Sequence, residues 1–227
     1  MDKAERWLDK KLQFRFADPS LFARALTHRS AKGRNNERLE YLGDAILDFV
    51  ISEALFRLRP HADEGDLSRL RSALVKDATL AAIASELEIG EHIILGGGER
   101  KTGGHRRQSI LADALEALFG AIYLDAGFDA TKSVIERIYA ERLTSLPEAS
   151  ELRDSKTRLQ EWLQARKFAL PVYELVEESG QDHKKRFLVT CTVNEFSETT
   201  RGEATSRRSA EQLAARRMLG LLAGDGS

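Results

Sequence analysis

Glu37, Glu40 and Asp44 stand three and four residues apart in the segment NERLEYLGDAIL, which runs from Asn36 to Leu47. On a helix they share one face, with neighbouring Cβ atoms about 5–6 Å apart. Like charges at that spacing repel. Such a stripe persists when it is solvated, paired with basic side chains or neutralised by a cation. Leu39, Leu42 and Ile46 run alongside, which predicts partial burial of Glu40 and Asp44. A second segment, Ser109 to Leu124, is apolar on nearly every side yet carries Asp113 and Glu116. A helix apolar all round belongs in a core, where a carboxylate is costly unless it is paired or bound to metal. No Lys or Arg lies within that stretch. Two helices that each bring two acids would enclose an oxygen-lined site, the ligand set a hard divalent cation such as Mg²⁺ takes. The competing reading is a set of solvated surface acids, which the spacing alone leaves open. A di-iron bundle is disfavoured, because it uses Glu-x-x-His and Phe119 stands three residues after Glu116.

The elements that position these acids follow from periodicity. Leu39, Leu42, Ile46 and Val50, then Leu67, Leu70 and Leu74, then Val134, Ile135 and Ile138 recur at helical spacing. Pro19, Gly33, Pro60, Gly90 and Gly96 to Gly98 separate the runs, and Asp18-Pro19-Ser20 reads as a helix start. Residues 1–146 are therefore expected to be all-α. The polar stretch 147–153, which contains Pro147, reads as a linker. Over 154–224 the pattern changes to α-β-β-β-α. Ser155 to Lys167 is a helix, Val172 to Val176 a strand, and Phe187 to Val193 an alternating strand. A third short strand spans Glu198 to Glu203, and a final helix runs from Ser206 to Leu222. The fold class is an all-helical domain followed by a small α+β domain.

Composition narrows the function classes. The chain has 227 residues, 35 Lys and Arg against 36 Asp and Glu, and a net charge of −1, so bulk positive charge cannot grip nucleic acid and any such binding is local. One cysteine, Cys191, excludes an internal disulfide and cysteine-based zinc sites, and it reads as a small buried strand residue. Trp7 and Trp162 read as packing residues. The amino terminus is charged and lacks a signal-like apolar run, and the most apolar stretch, Ile110 to Phe128, carries three acids. No membrane association is expected, and the location expected is the cytoplasm.

NERLEYLGDAIL resembles the signature of the ribonuclease III endonucleases. ALTHRS, DEGDLSRLRSALV and GGGERKTGGHRRQSILADALEALFGAIYLD match the same family in order and spacing. The likeness covers about residues 5–223 and is to the short bacterial form, one endonuclease domain and one double-stranded-RNA-binding domain. It implies Mg²⁺-dependent hydrolysis of double-stranded RNA, with Mn²⁺ able to substitute, no organic cofactor and a homodimer. Products would carry 5′-phosphate and 3′-hydroxyl ends with short 3′ overhangs, and substrates would be ribosomal, messenger and transfer RNA precursors. Position by position, the resemblance makes Asp44 and Glu116 catalytic and Glu40, Asp113 and Glu116 metal ligands. Glu37 and Glu64 match a second acidic pair. Tyr41 departs from the family, which more often has Phe where an aromatic packs into the partner subunit.

Basic and polar residues expected at RNA fall in four places. Arg106 and Arg107 follow Gly103-Gly104, directly ahead of the acidic helix, where Ser109 is a candidate N-cap. By resemblance, the helix residues Thr157, Gln160, Glu161 and Gln164 reach a minor groove, and the loop residues His183, Lys184 and Lys185 reach the next. Ser206, Arg207 and Arg208 open the last helix, whose N-terminus favours phosphate. Glu211 stands where many such domains have a further Lys, which predicts modest affinity. The reading from another class, a duplex-RNA binder that does not cleave, is separated by a metal-dependent cleavage assay.

Overall fold

The computed structural model describes residues 7, 10–147, 154–180 and 185–224, and it divides into two compact units, Met1–Pro147 and Glu148–Ser227. The predicted linker residues 148–153, together with His183 and Lys184, lie outside the described residues.

The first unit is helical: α1 (Pro19–Ala25), α2 (Glu37–Leu58), α3 (Glu64–Val75), α4 (Asp77–Glu86), α5 (Gly97–Lys101) and α6 (Gln108–Thr144). Asp18 caps α1 by accepting from the Ser20 N–H at 2.9 Å, and Pro19 takes the first turn, where its missing N–H costs nothing. Asp63 caps α3 in the same way through the Asp66 N–H. α6 bends at Gly127, whose φ of 82° breaks the helical path, and Thr131 Oγ1 donates to the Gly127 carbonyl at 2.9 Å. Asp125, just before the bend, accepts from the N–H groups of Ala17 and Asp18 at 2.8 Å each and so ties the approach to α1 onto α6.

α2 and α6 form the centre of this unit. Leu39, Leu47, Val50, Ile51 and Leu55 from α2 are buried, as are Ile110, Leu115, Leu118, Phe119 and Ile122 from α6. Two glycines set how closely the helices approach. A Cβ on Gly43 would fall 1.8 Å from the Glu116 carbonyl oxygen, and one on Gly120 would fall 2.1 Å from the Leu39 carbonyl oxygen. Each glycine therefore lies against the other helix's backbone. Glycine within a helix costs about 1 kcal/mol relative to alanine, and here the contact it permits offsets that cost.

The second unit has the order α7 (Ser155–Ala165), β1 (Val172–Ser179), β2 (Arg186–Val193), β3 (Glu198–Ala204) and α8 (Arg207–Gly224). The strands form one antiparallel sheet in the order β1-β2-β3, with an irregular register between Leu175 and Glu177. Cys191 and Val193 of β2 pack with Leu159 and Leu163 of α7 and Ala214, Ala215 and Met218 of α8, and Val189, on the same face of the strand, is buried too. Asp154 caps α7 through the Thr157 N–H, and Ser206 caps α8 through the Ser209 N–H. Cys191 is the buried strand residue the sequence predicts, and Trp7 and Trp162 pack against the cores of their units.

Ser109 is not a cap. α6 starts one residue earlier, at Gln108, with Arg107 in the capping position and no side-chain bond there. The glycine-containing stretch ahead of α6 is built from α5 and a 3₁₀ turn at Gly104–Arg106, closed by an ion pair between Arg107 and Glu99 at 2.7 Å.

Candidate metal centre

Glu40, Asp113 and Glu116 come together. One carboxylate oxygen from each lies within 4.8 Å of the other two, and all three side chains are half-buried. The approach at Gly43 and Gly120 brings this about, because Glu116 is itself the residue whose carbonyl touches Gly43. Two oxygens held by one Mg²⁺ at about 2.1 Å are separated by no more than about 4.2 Å, so modest rotation of these side chains suffices to bind one ion. The donor set is all carboxylate, and no Lys or Arg makes an ion pair with any of the three among the described residues. A hard divalent cation fits this chemistry.

The electrostatics are those of crowded acids. Burial pushes the Glu116 carboxyl up to about 8, and the charges of Asp44, Glu40, Asp113 and Asp77 add to the rise. Burial also raises Glu40, helped by Asp113, Glu37 and Asp44 and opposed by Arg29. Asp113 is raised by burial and by Asp77, against His28 and Arg29. Asp44 is raised by burial and then by Asp48. It acts on Glu116 but stands outside the three-oxygen group. These shifts record negative charge held close in a partly desolvated place, which a cation relieves.

The other acids expected at the site are placed differently. Glu37 is exposed, accepts from the Asn35 side-chain amide at 2.8 Å and lies 3.8 Å from Arg29. Glu64 is exposed at the start of α3, on a cavity of about 230 Å³ shared with Ser52, Phe56 and Arg71. Neither belongs to the three-oxygen group. Asp77, His28, Arg29, Gly43 and Gly120 influence the site and were not singled out from the sequence. The two glycines carried a legible signal, since an isolated glycine inside a strong helical pattern usually marks close packing. Asp77, His28 and Arg29 carried none, because their proximity arises only in three dimensions.

In the second unit, Thr157, Gln160, Glu161 and Gln164 form the exposed face of α7, opposite buried Leu159 and Leu163. Lys185 lies 2.8 Å from Glu178. Arg207 donates to Glu211 at 3.1 Å, and Glu211 also pairs with Lys156 at 2.7 Å. Arg106 is exposed beside His105, whereas Arg107 is tied to Glu99.

Residues 18–143 match the family described as Ribonuclease-III-like. The chain belongs to the ribonuclease III family. Residues 155–222 match the double-stranded RNA binding motif, so an endonuclease domain of this family is followed by a double-stranded-RNA-binding domain. A protein named Ribonuclease 3 from Alkalilimnicola ehrlichii is 57% identical over 212 residues, covering 93% of this chain and 93% of its own. A Ribonuclease 3 from Nitrosococcus oceani is 53% identical over 223 residues, 97% of this chain and 95% of its own. Among solved structures, the nuclease domain of ribonuclease III from Campylobacter jejuni matches at a TM-score of 0.61 and 44% identity, with 64% of this chain and 100% of that one covered. Another structure of that domain, described in terms of flexibility in the region involved in dimer formation, matches at 0.58 and 46% identity, over 60% of this chain and 95% of that one. The family assignment makes the protein an endoribonuclease acting on double-stranded RNA. Among the described residues, no helix is long and apolar enough to cross a membrane.

Proposed function

We propose that this enzyme is a cytoplasmic, homodimeric, Mg²⁺-dependent endoribonuclease. It cuts double-stranded RNA to leave 5′-phosphate and 3′-hydroxyl ends with short 3′ overhangs, and it processes ribosomal RNA precursors and some messenger and transfer RNA precursors. The observation that carries the proposal is the convergence of Glu40, Asp113 and Glu116 on one point. These three would hold the ion directly, with Mn²⁺ able to replace Mg²⁺. A bound divalent cation supplies an acidified water and neutralises charge on the scissile phosphate. Asp44, one turn beyond Glu40 on α2, would accept a hydrogen bond from the attacking water and fix its direction. Glu116, held near Asp44, Glu40 and Asp113, must be ionised to serve, and its raised carboxyl couples metal binding to loss of a proton. Glu37 and Glu64 would act as the second acidic pair.

One acid cluster cuts one strand, so cutting a duplex calls for two, which a two-fold dimer supplies. α2 presents exposed aromatic side chains that suit such an interface: Tyr41 is 80% exposed, Phe49, which meets the Phe128 ring edge-on at 5.6 Å, is 57% exposed, and Phe56 is 71% exposed. Thr157, Gln160, Glu161, Gln164, His183, Lys184, Lys185, Ser206, Arg207 and Arg208 would read the duplex by shape, with Arg106 and Arg107 contacting backbone near the acids.

The test is incubation of a long RNA duplex with and without Mg²⁺, followed by end-group analysis. Fragments with 5′-phosphates are expected only with the metal. Glu116→Gln should lower cleavage by at least about a thousandfold, on the scale at which loss of an essential charge-stabilising group is felt, while leaving duplex affinity within about twofold. Normal turnover by that variant would refute the assignment.

A further inference from the structure

A strongly basic cavity lies in the first unit, at the start of the helix that carries Glu40 and Asp44. It has a volume of about 450 Å³ and is lined by Arg24, Gly33, Arg34, Asn35 and Arg38. Three arginines line one space. Arg24 is half-buried and fixed, since its Nε donates to the Asn35 carbonyl at 3.1 Å. Arg34 and Arg38 are exposed, and neither makes an ion pair with a described residue. The nearby acid Glu37 is turned to Arg29 and to the Asn35 amide, so it does not neutralise them. Asn35 thus links the two features: its backbone holds an arginine of the cavity and its side chain holds the first acid of the stripe.

We propose that Arg24, Arg34 and Arg38 form a phosphate-binding subsite of the nuclease unit, which holds an RNA phosphodiester other than the one being cut. The chemistry favours this ligand. Guanidinium forks match phosphate oxygens two at a time. A polyanion that must lie across a group of mutually repelling carboxylates needs positive charge close by to bring it there. A divalent ion held by Glu40, Asp113 and Glu116 would offset that repulsion at one phosphate, and the arginines would hold a neighbour on the same backbone. The subsite rests on the double-stranded-RNA reading above and assigns it a grip within the nuclease unit, separate from the double-stranded-RNA-binding domain.

The test uses the full chain. Arg34→Ala with Arg38→Ala removes two exposed guanidiniums and leaves the Arg24–Asn35 bond in place. Duplex binding is measured in EDTA over a salt series, and cleavage is measured in Mg²⁺. Each lost phosphate contact should reduce the slope of log affinity against log salt by about 0.9, so a fall of about 1.8 and roughly tenfold weaker binding are expected. KM should rise by a similar factor, with kcat changed less than about threefold, because the contact is to a phosphate that does not react. A control pair, Lys10→Ala with Arg15→Ala, removes the same charge from other exposed positions of the unit. An unchanged slope in the Arg34/Arg38 variant overturns the subsite, and so does an equal loss in the control pair. If the unmutated chain neither binds nor cuts duplex RNA, the functional reading itself has failed, an outcome distinct from either.

Discussion

Glu116 is the residue on which the proposed metal, the proton and fold stability meet. Its carboxyl sits at about 8 in the folded chain against 4.5 ordinarily. A group whose folded value is raised binds its proton more tightly in the native state, so the stability it lends is present below about 4.5 and is lost as pH rises through about 8. Glu40, Asp44 and Asp113 are raised as well, so they act in the same direction. The expected outcome is that, with metal chelated, the urea midpoint of the nuclease transition falls between pH 5 and 8. Glu116→Gln should flatten that fall, and millimolar Mg²⁺ should counter it by taking the place of the proton. A midpoint equally flat in the parent protein and the variant would show that the acids are not desolvated as the structure has them.

At the scale of elements, the α2–α6 contact decides whether the site exists. A side chain at Gly120 would meet the Leu39 carbonyl oxygen at 2.1 Å, so the helices must separate to admit even a methyl group. Gly120→Ala is therefore expected to destabilise the nuclease unit by about 1–3 kcal/mol, the usual cost of overpacking, despite alanine's better helix propensity. It should also weaken divalent-ion binding, because Glu40 and Asp113 lie on opposite helices. Thermal unfolding and isothermal titration with Mn²⁺ measure the two effects, and an unchanged or raised melting temperature would contradict the close approach. The helices themselves were legible: 3.6-residue periodicity is local, and so is a cap such as Asp18 or Asp63. The start of α6 was not, since Arg107 in the capping position uses no side-chain bond and leaves no mark in the sequence.

For the whole molecule, a net charge of −1 hides two local features of opposite demand, an acid cluster suited to a cation and a domain that binds double-stranded RNA. The second unit is the latter, and some of its charges are engaged internally. Glu211 pairs with Lys156 and also bonds Arg207, so the charge that phosphate meets there is partly offset. Arg207→Ala with Arg208→Ala should weaken binding to all duplexes alike, by about 10-fold, and reduce the salt slope by about 1–2. A filter-binding series on two unrelated duplexes decides this. A loss confined to one of them would show sequence readout instead of shape readout. The α-β-β-β-α order was legible because strand alternation and helical periodicity differ sharply between Phe187 to Val193 and Ser206 to Leu222.

The sequence by itself determined the acid stripe at Glu37, Glu40 and Asp44, the paired acids of a buried helix, and the change of architecture after Pro147. Each of these depends on neighbours within a turn or two of chain. Tertiary structure alone decided that Glu40 meets Asp113 and Glu116 while Glu64 stands elsewhere, that Asp77, His28 and Arg29 act on the site, and that Arg24 joins Arg34 and Arg38. Those outcomes depend on how segments tens of residues apart are packed, and here two glycines set that distance. A periodicity can show which face of a helix is acidic, but only contact between backbones fixes what that face meets.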